Sequence, residues 1–410
     1  MNTSRHYKLV LLMIIASMVM LSITVSANTT RQENVTIQEL VVGNTEFALD
    51  FFQMLIGMDN SNFVFSPYSL SNAFAMTFAG ARGNTATEIQ ETFHFYLPPE
   101  DLHRAFSELT INLNNPDRTS RVVVANAVWG ERSFQFRPEY QQLMLTRYSN
   151  GFRPVDFANM PEEATNEINQ WVNNLTEGKI ENIIPPGTID NLTRLVIANA
   201  LLFKADWLTP FDSSETRDGS FYTFDGEISV PMMNGKEMPF SCLIAEDEEY
   251  EFVAIELPYA DESASLVIIM PYEKSYDDFL SVFTGQTFFD ILYNMDGCFG
   301  NVTMPKFSVQ TKLDLNEILL EMGVVDAFSP TADFSGMTGA PELYITKALH
   351  QARIDVTEKG TEAAASTAVI AGVRGAGMEV IIDGPFFFAI VDSVSDTILF
   401  MGNVVDPSGT

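Results

Sequence analysis

Glu358-Lys-Gly-Thr-Glu-Ala-Ala-Ala-Ser-Thr-Ala-Val369 is the stretch on which the reading of this chain turns. From Thr361 onward the alternate residues Thr361, Ala363, Ala365, Thr367, Val369, Ala371 and Val373 are small or β-branched and uncharged. That is the period-2 pattern of a sheet face that can be buried. The opposite face carries Glu362, Ser366 and, at its far end, Arg374. No proline interrupts the run, so every backbone N–H can join a ladder. Gly360 before it and Gly372, Gly375 and Gly377 after it give it freedom to swing. A mobile, insertable segment that offers one arginine reads as bait for a protease. Composition alone also allows an ordinary edge strand or a short helix, so the rest of the chain has to decide.

The chain has 410 residues, 46% hydrophobic and only 19% charged, ample for a large core. No proline- or glycine-rich linker divides it, no internal repeat is visible, and hydrophobic runs recur from Phe47 to Val404. One large domain over 45–410 is expected, after a variable segment 28–44. Residues 1–27 read as a signal peptide: Arg5 and Lys8 precede an apolar run from Leu9 to Val25, which ends in Val25-Ser26-Ala27. Export is therefore expected. An uncleaved amino-terminal anchor, with the domain facing outward, is the alternative, and only then would the membrane be a partner.

Two cysteines, Cys242 and Cys298, can form one disulfide outside the cytoplasm, or stay apart. Neither has metal-ligand spacing. Asn28, Asn34, Asn174, Asn191 and Asn301 each begin an Asn-x-Ser/Thr triplet.

Fifty-four acidic against 23 basic residues give a formal net charge of −31. Nucleic acid and heparin need a lysine and arginine stripe that releases counterions, and none is present, so neither is an expected partner. Enzyme signatures are also missing. His6 lies in the leader, while His94, His103 and His350 stand apart without His-Glu-x-x-His spacing. There is no Gly-x-Ser-x-Gly elbow, and the glycines around Arg374 lack the Gly-Lys-Ser/Thr ending of a phosphate loop. No metal, cofactor or catalytic residue is expected.

Helices are predicted over Glu46 to Leu55, Ser69 to Ala79 after Ser66-Pro67, Pro161 to Asn174, and Leu313 to Met322 closed by Gly323. Strands are predicted over Val122 to Trp129, Leu195 to Phe203, Val253 to Leu257, Ser265 to Met270, Phe386 to Val391 and Thr397 to Met401. Helices dominate early and strands late, an α+β arrangement.

Four longer motifs carry a family resemblance. They are Asn62-Phe-Val-Phe-Ser-Pro-Tyr-Ser-Leu-Ser-Asn-Ala-Phe-Ala-Met, Leu195-Val-Ile-Ala-Asn-Ala-Leu-Leu-Phe-Lys-Ala-Asp-Trp-Leu-Thr-Pro-Phe, Asp383-Gly-Pro-Phe-Phe-Phe and Phe400-Met-Gly-Asn-Val-Val-Asp-Pro. In this order they resemble the serpins, over roughly Thr45 to Pro407. The resemblance implies helices around a large mixed main sheet with smaller sheets, and an exposed reactive loop over about 358–384. In the family's register the seventeenth loop residue from Glu358 precedes the scissile bond. That is Arg374-Gly375, and counting back from Pro385 agrees.

The same resemblance assigns the loop hinge to Glu358, Gly360, Thr361, Glu362, Ala363, Ala364, Ala365, Ser366 and Thr367. It places Ser66, Ser69, Asn199 and His350 in a polar cluster beneath the opening strands. Trp207 and Lys306 fall where insertion starts, with Lys306 set to pair with Glu358. Arginine before the bond suits the buried aspartate of a trypsin-like primary pocket. The implied mechanism is a suicide trap acting as a monomer: the protease attacks Arg374, an acyl-enzyme forms, and the freed strand inserts into the main sheet. At about 3.3 Å per residue, some 14 inserted residues drag the protease about 45 Å. Serpin loop insertion is a standing example of strand addition and stored strain.

One departure is Gly384, where the family often has a larger residue, so looser packing behind the loop is expected. The rival class is a serpin that carries or stores rather than inhibits. Such chains usually have charged, bulky or proline residues in the hinge, and none stands between Ala363 and Ala368. An ordinary protease substrate or receptor ectodomain would not need an insertable loop.

Overall fold

The computed structural model describes residues 36–246, 251–272, 276–361 and 377–409. The expected leader, the hinge residues from Glu362 to Thr367, and the Arg374-Gly375 bond lie outside them. In chain order the helices are α1 (36–58), α2 (Pro67–Phe78), α3 (Gly83–Thr92), α4 (Pro99–Leu113), α5 (Pro138–Arg147), α6 (Pro161–Leu175), α7 (Tyr276–Val282), α8 (Gly285–Tyr293), α9 (Leu315–Glu321) and α10 (Ser335–Thr338). The strands are β1 (Phe63–Phe65), β2 (Arg121–Glu131), β3 (Phe152–Val155), β4 (Leu195–Asp206), β5 (Arg217–Thr223), β6 (Gly226–Glu246), β7 (Glu251–Pro258), β8 (Ala264–Pro271), β9 (Asp296–Pro305), β10 (Phe307–Asp314), β11 (Ile345–Thr357), β12 (Gly360–Thr361), β13 (Met378–Ile381), β14 (Phe386–Asp392) and β15 (Thr397–Val404).

They form two sheets. One runs β1-β15-β14-β8-β7-β6-β9-β13, with β5 on β6; the other, the main sheet, runs β10-β11-β12-β4-β2-β3. The fold is α+β.

The main sheet is covered on both faces. Val122, Val128, Leu195, Ile197 and Leu201 point into the larger core, against α2. Their neighbours Ala125, Ala127, Trp129, Val196, Ala198 and Ala200 point into a second core under α6, against Ile168 and Val172. Two buried faces explain why β4 reads as an unbroken apolar run instead of alternating. Helix α6 is amphipathic for the same reason, burying Ala164, Thr165, Ile168 and Val172 at helical spacing. All twelve residues of α2 are buried, and its start is fixed by Ser66, whose side chain accepts from Ser69 N, with Pro67 in the first turn.

Two expectations need revision. The segment before Thr45 is not wholly separate, because α1 already covers residues 36–44. The helix expected from Leu313 to Met322 begins later: Leu313 belongs to β10, paired with His350, and Asp314 caps α9 by accepting from Asn316 N. The chain cannot pair Leu313 in a ladder and wind it into a helix, and the sheet wins. At Gly384, where looser packing is expected, a Cβ would meet only Met270 Sδ, at 3.8 Å, so the position has room for a side chain.

The two cysteines meet. Cys242 on β6 is bonded to Cys298 on β9, with Cα atoms 5.9 Å apart. Among the described residues no helix is long and apolar enough to cross a membrane.

Candidate functional site

A break in the strand directions of the main sheet organises the site. β10 and β11 are antiparallel, as are β4 and β2, yet β11 and β4 lie parallel, from Ile345 beside Leu195 to Ala352 beside Leu201. Beyond Ala352 the two strands part. The two residues of β12 fill the opening, antiparallel to both: Thr361 pairs with Val356 and Ala205, and Gly360 with Thr357 and Asp206. The sheet has a second parallel pair, β2 with β3 at its edge, but only at the seam between β11 and β4 does a further strand, β12, begin between the two. Parallel pairing is also slightly the weaker kind per residue.

At the open end Gly360 is required by its geometry. Its φ is +148°, and a Cβ there would lie 2.1 Å from Ala205 O. Thr361 follows, fully buried, with its hydroxyl 2.7 Å from that of Tyr259. The Tyr259 ring stacks on Trp207 at 4.6 Å between centroids. Burial raises the Tyr259 phenol well above its ordinary range, so it stays neutral and free to donate.

Trp207 holds the turn before Thr361 at two points: its indole N–H donates to Thr357 O at 2.8 Å, and its backbone N–H to Lys359 O at 2.9 Å. Glu358 is fixed as well. Its backbone carbonyl accepts from Phe211 N at 2.8 Å, and its carboxylate accepts from Lys306 Nζ at 3.2 Å and Thr216 Oγ1 at 3.0 Å. Burial pushes this carboxyl up, but bonds from its own backbone amide, Lys306 and Thr216 outweigh that and hold it below the ordinary range. The pairing of Lys306 with Glu358 is present. Lys306 is half exposed, so the pair contributes less than about 1 kcal/mol.

About 20 Å down β11, six residues before Val356, lies a second cluster. Asn126 on β2 faces Asn199 on β4, which faces His350 on β11. This polar row sits against the start of α2. His350 Nε2 accepts from Ser66 N at 3.2 Å, which leaves the proton on Nδ1 to donate to the Asn199 carboxamide oxygen. Asn199 Nδ2 donates to Ser69 O at 2.6 Å and to Asn126 Oδ1 at 2.7 Å. Ser69 Oγ donates to the same Asn126 oxygen, and Asn126 Nδ2 reaches Asn72. His350 is completely buried, and burial lowers its pKa to about 3. A second ring proton would point at the Ser66 N–H, so the network accepts only neutral histidine.

Ser66, Ser69, Asn199 and His350 thus come together in one cluster, and Glu358, Gly360, Thr361, Trp207 and Lys306 in another. The reading from sequence missed Asn126, Tyr259 and Thr216, which carry no local signature. Asn126 sits in Val-Val-Val-Ala-Asn-Ala, where a buried amide in an apolar strand is the only hint. Among the described residues no group of His, Cys, Asp and Glu is arranged to hold a metal ion.

A family model described as Serpin (serine protease inhibitor) matches residues 42–407. The leukocyte elastase inhibitor of Homo sapiens is 36% identical over 386 residues, which cover 90% of this chain and 100% of that protein. That of Bos taurus is 35% identical over 387 residues with the same coverage. Among solved structures, a highly specific serpin of the insect Tenebrio molitor matches at a TM-score of 0.81 and 30% identity, covering 90% of this chain and 98% of that one. Human thyroxine-binding globulin bound to its hormone matches at 0.82 and 30%, covering 91% and 99%. Uncleaved ovalbumin matches at 0.82 and 26%, covering 90% and 100%. The chain therefore belongs to the serpin family of serine protease inhibitors and is not an enzyme.

Proposed function

We propose that this chain is a secreted suicide-substrate inhibitor of trypsin-like serine proteases, with Arg374-Gly375 as its reactive bond. The observation that carries the reading is the parallel seam between β11 and β4, opened at one end by Gly360 and Thr361. Attack on the Arg374 carbonyl forms an acyl-enzyme and releases the amine of Gly375. The strand from Thr361 onward, no longer tied at its far end, then continues the antiparallel course that β12 has begun. Each inserted residue replaces one parallel ladder with two antiparallel ones, a net gain in hydrogen bonds and buried apolar surface.

Glu358 to Thr367 act as the hinge, and the small residues from Ala363 to Ala368 let it pass between packed strands. Trp207 and Lys306 hold the point of entry. The row of Asn126, Asn199 and His350 with Ser66 and Ser69 closes the sheet further down, because a new strand must part Asn199 from His350.

The relatives are named for elastase, whereas arginine before the bond favours a pocket with a buried carboxylate. An elastase-type pocket would have to desolvate the guanidinium unpaired. Equal molar amounts of the mature protein and trypsin, chymotrypsin or elastase, run on denaturing gels, test this. The expected result is a boiling-resistant complex with trypsin and a released peptide beginning at Gly375. A complex with elastase alone would remove the trypsin-like assignment. Clean cleavage with full protease activity left would favour the carrier or storage class, to which thyroxine-binding globulin lends a precedent on the same fold.

A further inference from the structure

Strand β2 is only half covered on its outer side. β3 pairs with it from Val128 to Glu131, and Val128 N donates to Gly151 O. By strand alternation the N–H and C=O groups of Val122, Val124 and Asn126 face the same way, away from β4. Among the described residues no strand pairs with them. The chain turns sharply just before β3, with Ser149 and Asn150 both at positive φ, 50° and 63°, and so leaves this edge bare.

The bare edge opens into a cleft of about 540 Å³, within the range of small-ligand sites. Ile111 and Leu175 form an exposed apolar lip, and Trp171 a wall. In a chain of net charge −31, no aspartate or glutamate lines it. It does contain Arg121 and Arg153. Arg121 is paired with Glu177. Arg153 has no carboxylate partner among the described residues; it lies over Trp129 and Trp171, at 5.5 and 5.1 Å from the ring centroids, with its Nε buried and unbonded.

From this arrangement we infer that the cleft binds the carboxyl-terminal end of an extended peptide with apolar side chains. The edge from Val122 to Asn126 spans about 13 Å, room for four residues. The direction follows from charge. A peptide parallel to β2, in line with β3, brings its last residue to Arg153, which takes the terminal carboxylate; the antiparallel course would bring a cationic amine there instead. Main-chain bonds supply the affinity and the Trp171 and Leu175 walls the side-chain preference, as in other strand additions at a sheet edge.

The site is wired to the sheet. Asn126 lines the cleft and also bonds Ser69 and Asn199. A bound peptide therefore changes the rate of strand insertion, a consequence that rests on the inhibitory reading, while binding itself does not.

The test uses the full mature chain and fluorescein-labelled Val-Thr-Val-Leu, as free acid and as carboxyl-terminal amide, followed by anisotropy. Saturable binding of the acid is expected, with the amide at least tenfold weaker. In Arg153→Gln the two forms bind alike. Val124→Pro removes an outward N–H without touching the ladder to β4 and weakens both forms; Leu175→Asp on the exposed lip does the same if the proline variant does not fold. No saturation of the acid up to about 1 mM, or equal binding of acid and amide to the unmodified chain, overturns the site. Adding saturating acid peptide to the trypsin reaction is expected to change the inhibition rate at least twofold, and not in Arg153→Gln. An unchanged rate with binding intact overturns the coupling, and binding without any protease complex leaves the site standing while the inhibitory reading falls.

Discussion

The hydroxyls of Tyr259 and Thr361 meet at 2.7 Å with both residues fully buried, so the start of the hinge, Gly360 and Thr361, already sits between β11 and β4. Insertion has a built starting point, and Trp207 braces it from behind. Tyr259→Phe leaves the Thr361 hydroxyl buried without that partner, a cost of about 1–2 kcal/mol. A lower apparent melting temperature is expected, with faster amide exchange at Thr361. Unchanged exchange there would mean the bond does not hold the hinge.

Thr361→Arg puts a charge at a fully buried position, so the hinge is expelled and insertion stalls. Titration of trypsin with this variant is expected to show cleavage after Arg374 with the protease left active. A stoichiometric complex would show that seating Thr361 is irrelevant to trapping.

Acid should loosen the sheet before it titrates the carboxylates. Burial lowers His350 to about 3 and His103 to about 4, whereas both ionise near 6.5 once unfolded. Below pH 6.5 the unfolded state therefore binds more protons, and stability falls with falling pH by up to about 1.4 kcal/mol per unit for each histidine. The carboxyls held low, such as Glu358, add their own loss only below about pH 4.5. Melting temperatures at pH 7.5, 6.5 and 5.5 are expected to decline, and His350→Gln to decline less steeply. A flat profile would contradict the buried neutral histidines.

Reduction of the Cys242 to Cys298 bond frees a loop with a sequence separation of 56, worth roughly 4 kcal/mol in chain entropy. The denaturant midpoint of the mature protein is expected to drop in dithiothreitol, and Cys298→Ser to show the lower midpoint without reductant. Equal midpoints would mean the bridge does not stabilise the domain.

How legible all this was in the residues depends on range. Ser66-Pro67 announced α2, and the apolar runs of β4, β8, β14 and β15 announced buried strands, because those signals are local. Leu313 was ambiguous because it continues the period of Val309 and Thr311 as well as it starts the helical spacing of Leu315, Ile318 and Leu319. β6 was not predicted: its 21 residues contain Pro231, Gly235 and Pro239, which weaken a strand signal, and its pairing with β9 shifts register between Gly235 and Met238. Resemblance, not periodicity, picked out Ser69, Asn199 and His350. Asn126 and Tyr259 escaped because their meaning lies in what faces them across 73 and 102 residues of chain. The parallel seam is the same kind of fact, a relation between distant strands that no window of sequence contains.

The most direct test of the account is a crystal structure of the chain cleaved after Arg374. The residues from Thr361 to Arg374 are expected as a strand between β11 and β4, antiparallel to both, with Asn199 no longer bonded to His350. A cleaved chain in which Ala352 still lies beside Leu201 and His350 beside Asn199 would contradict it.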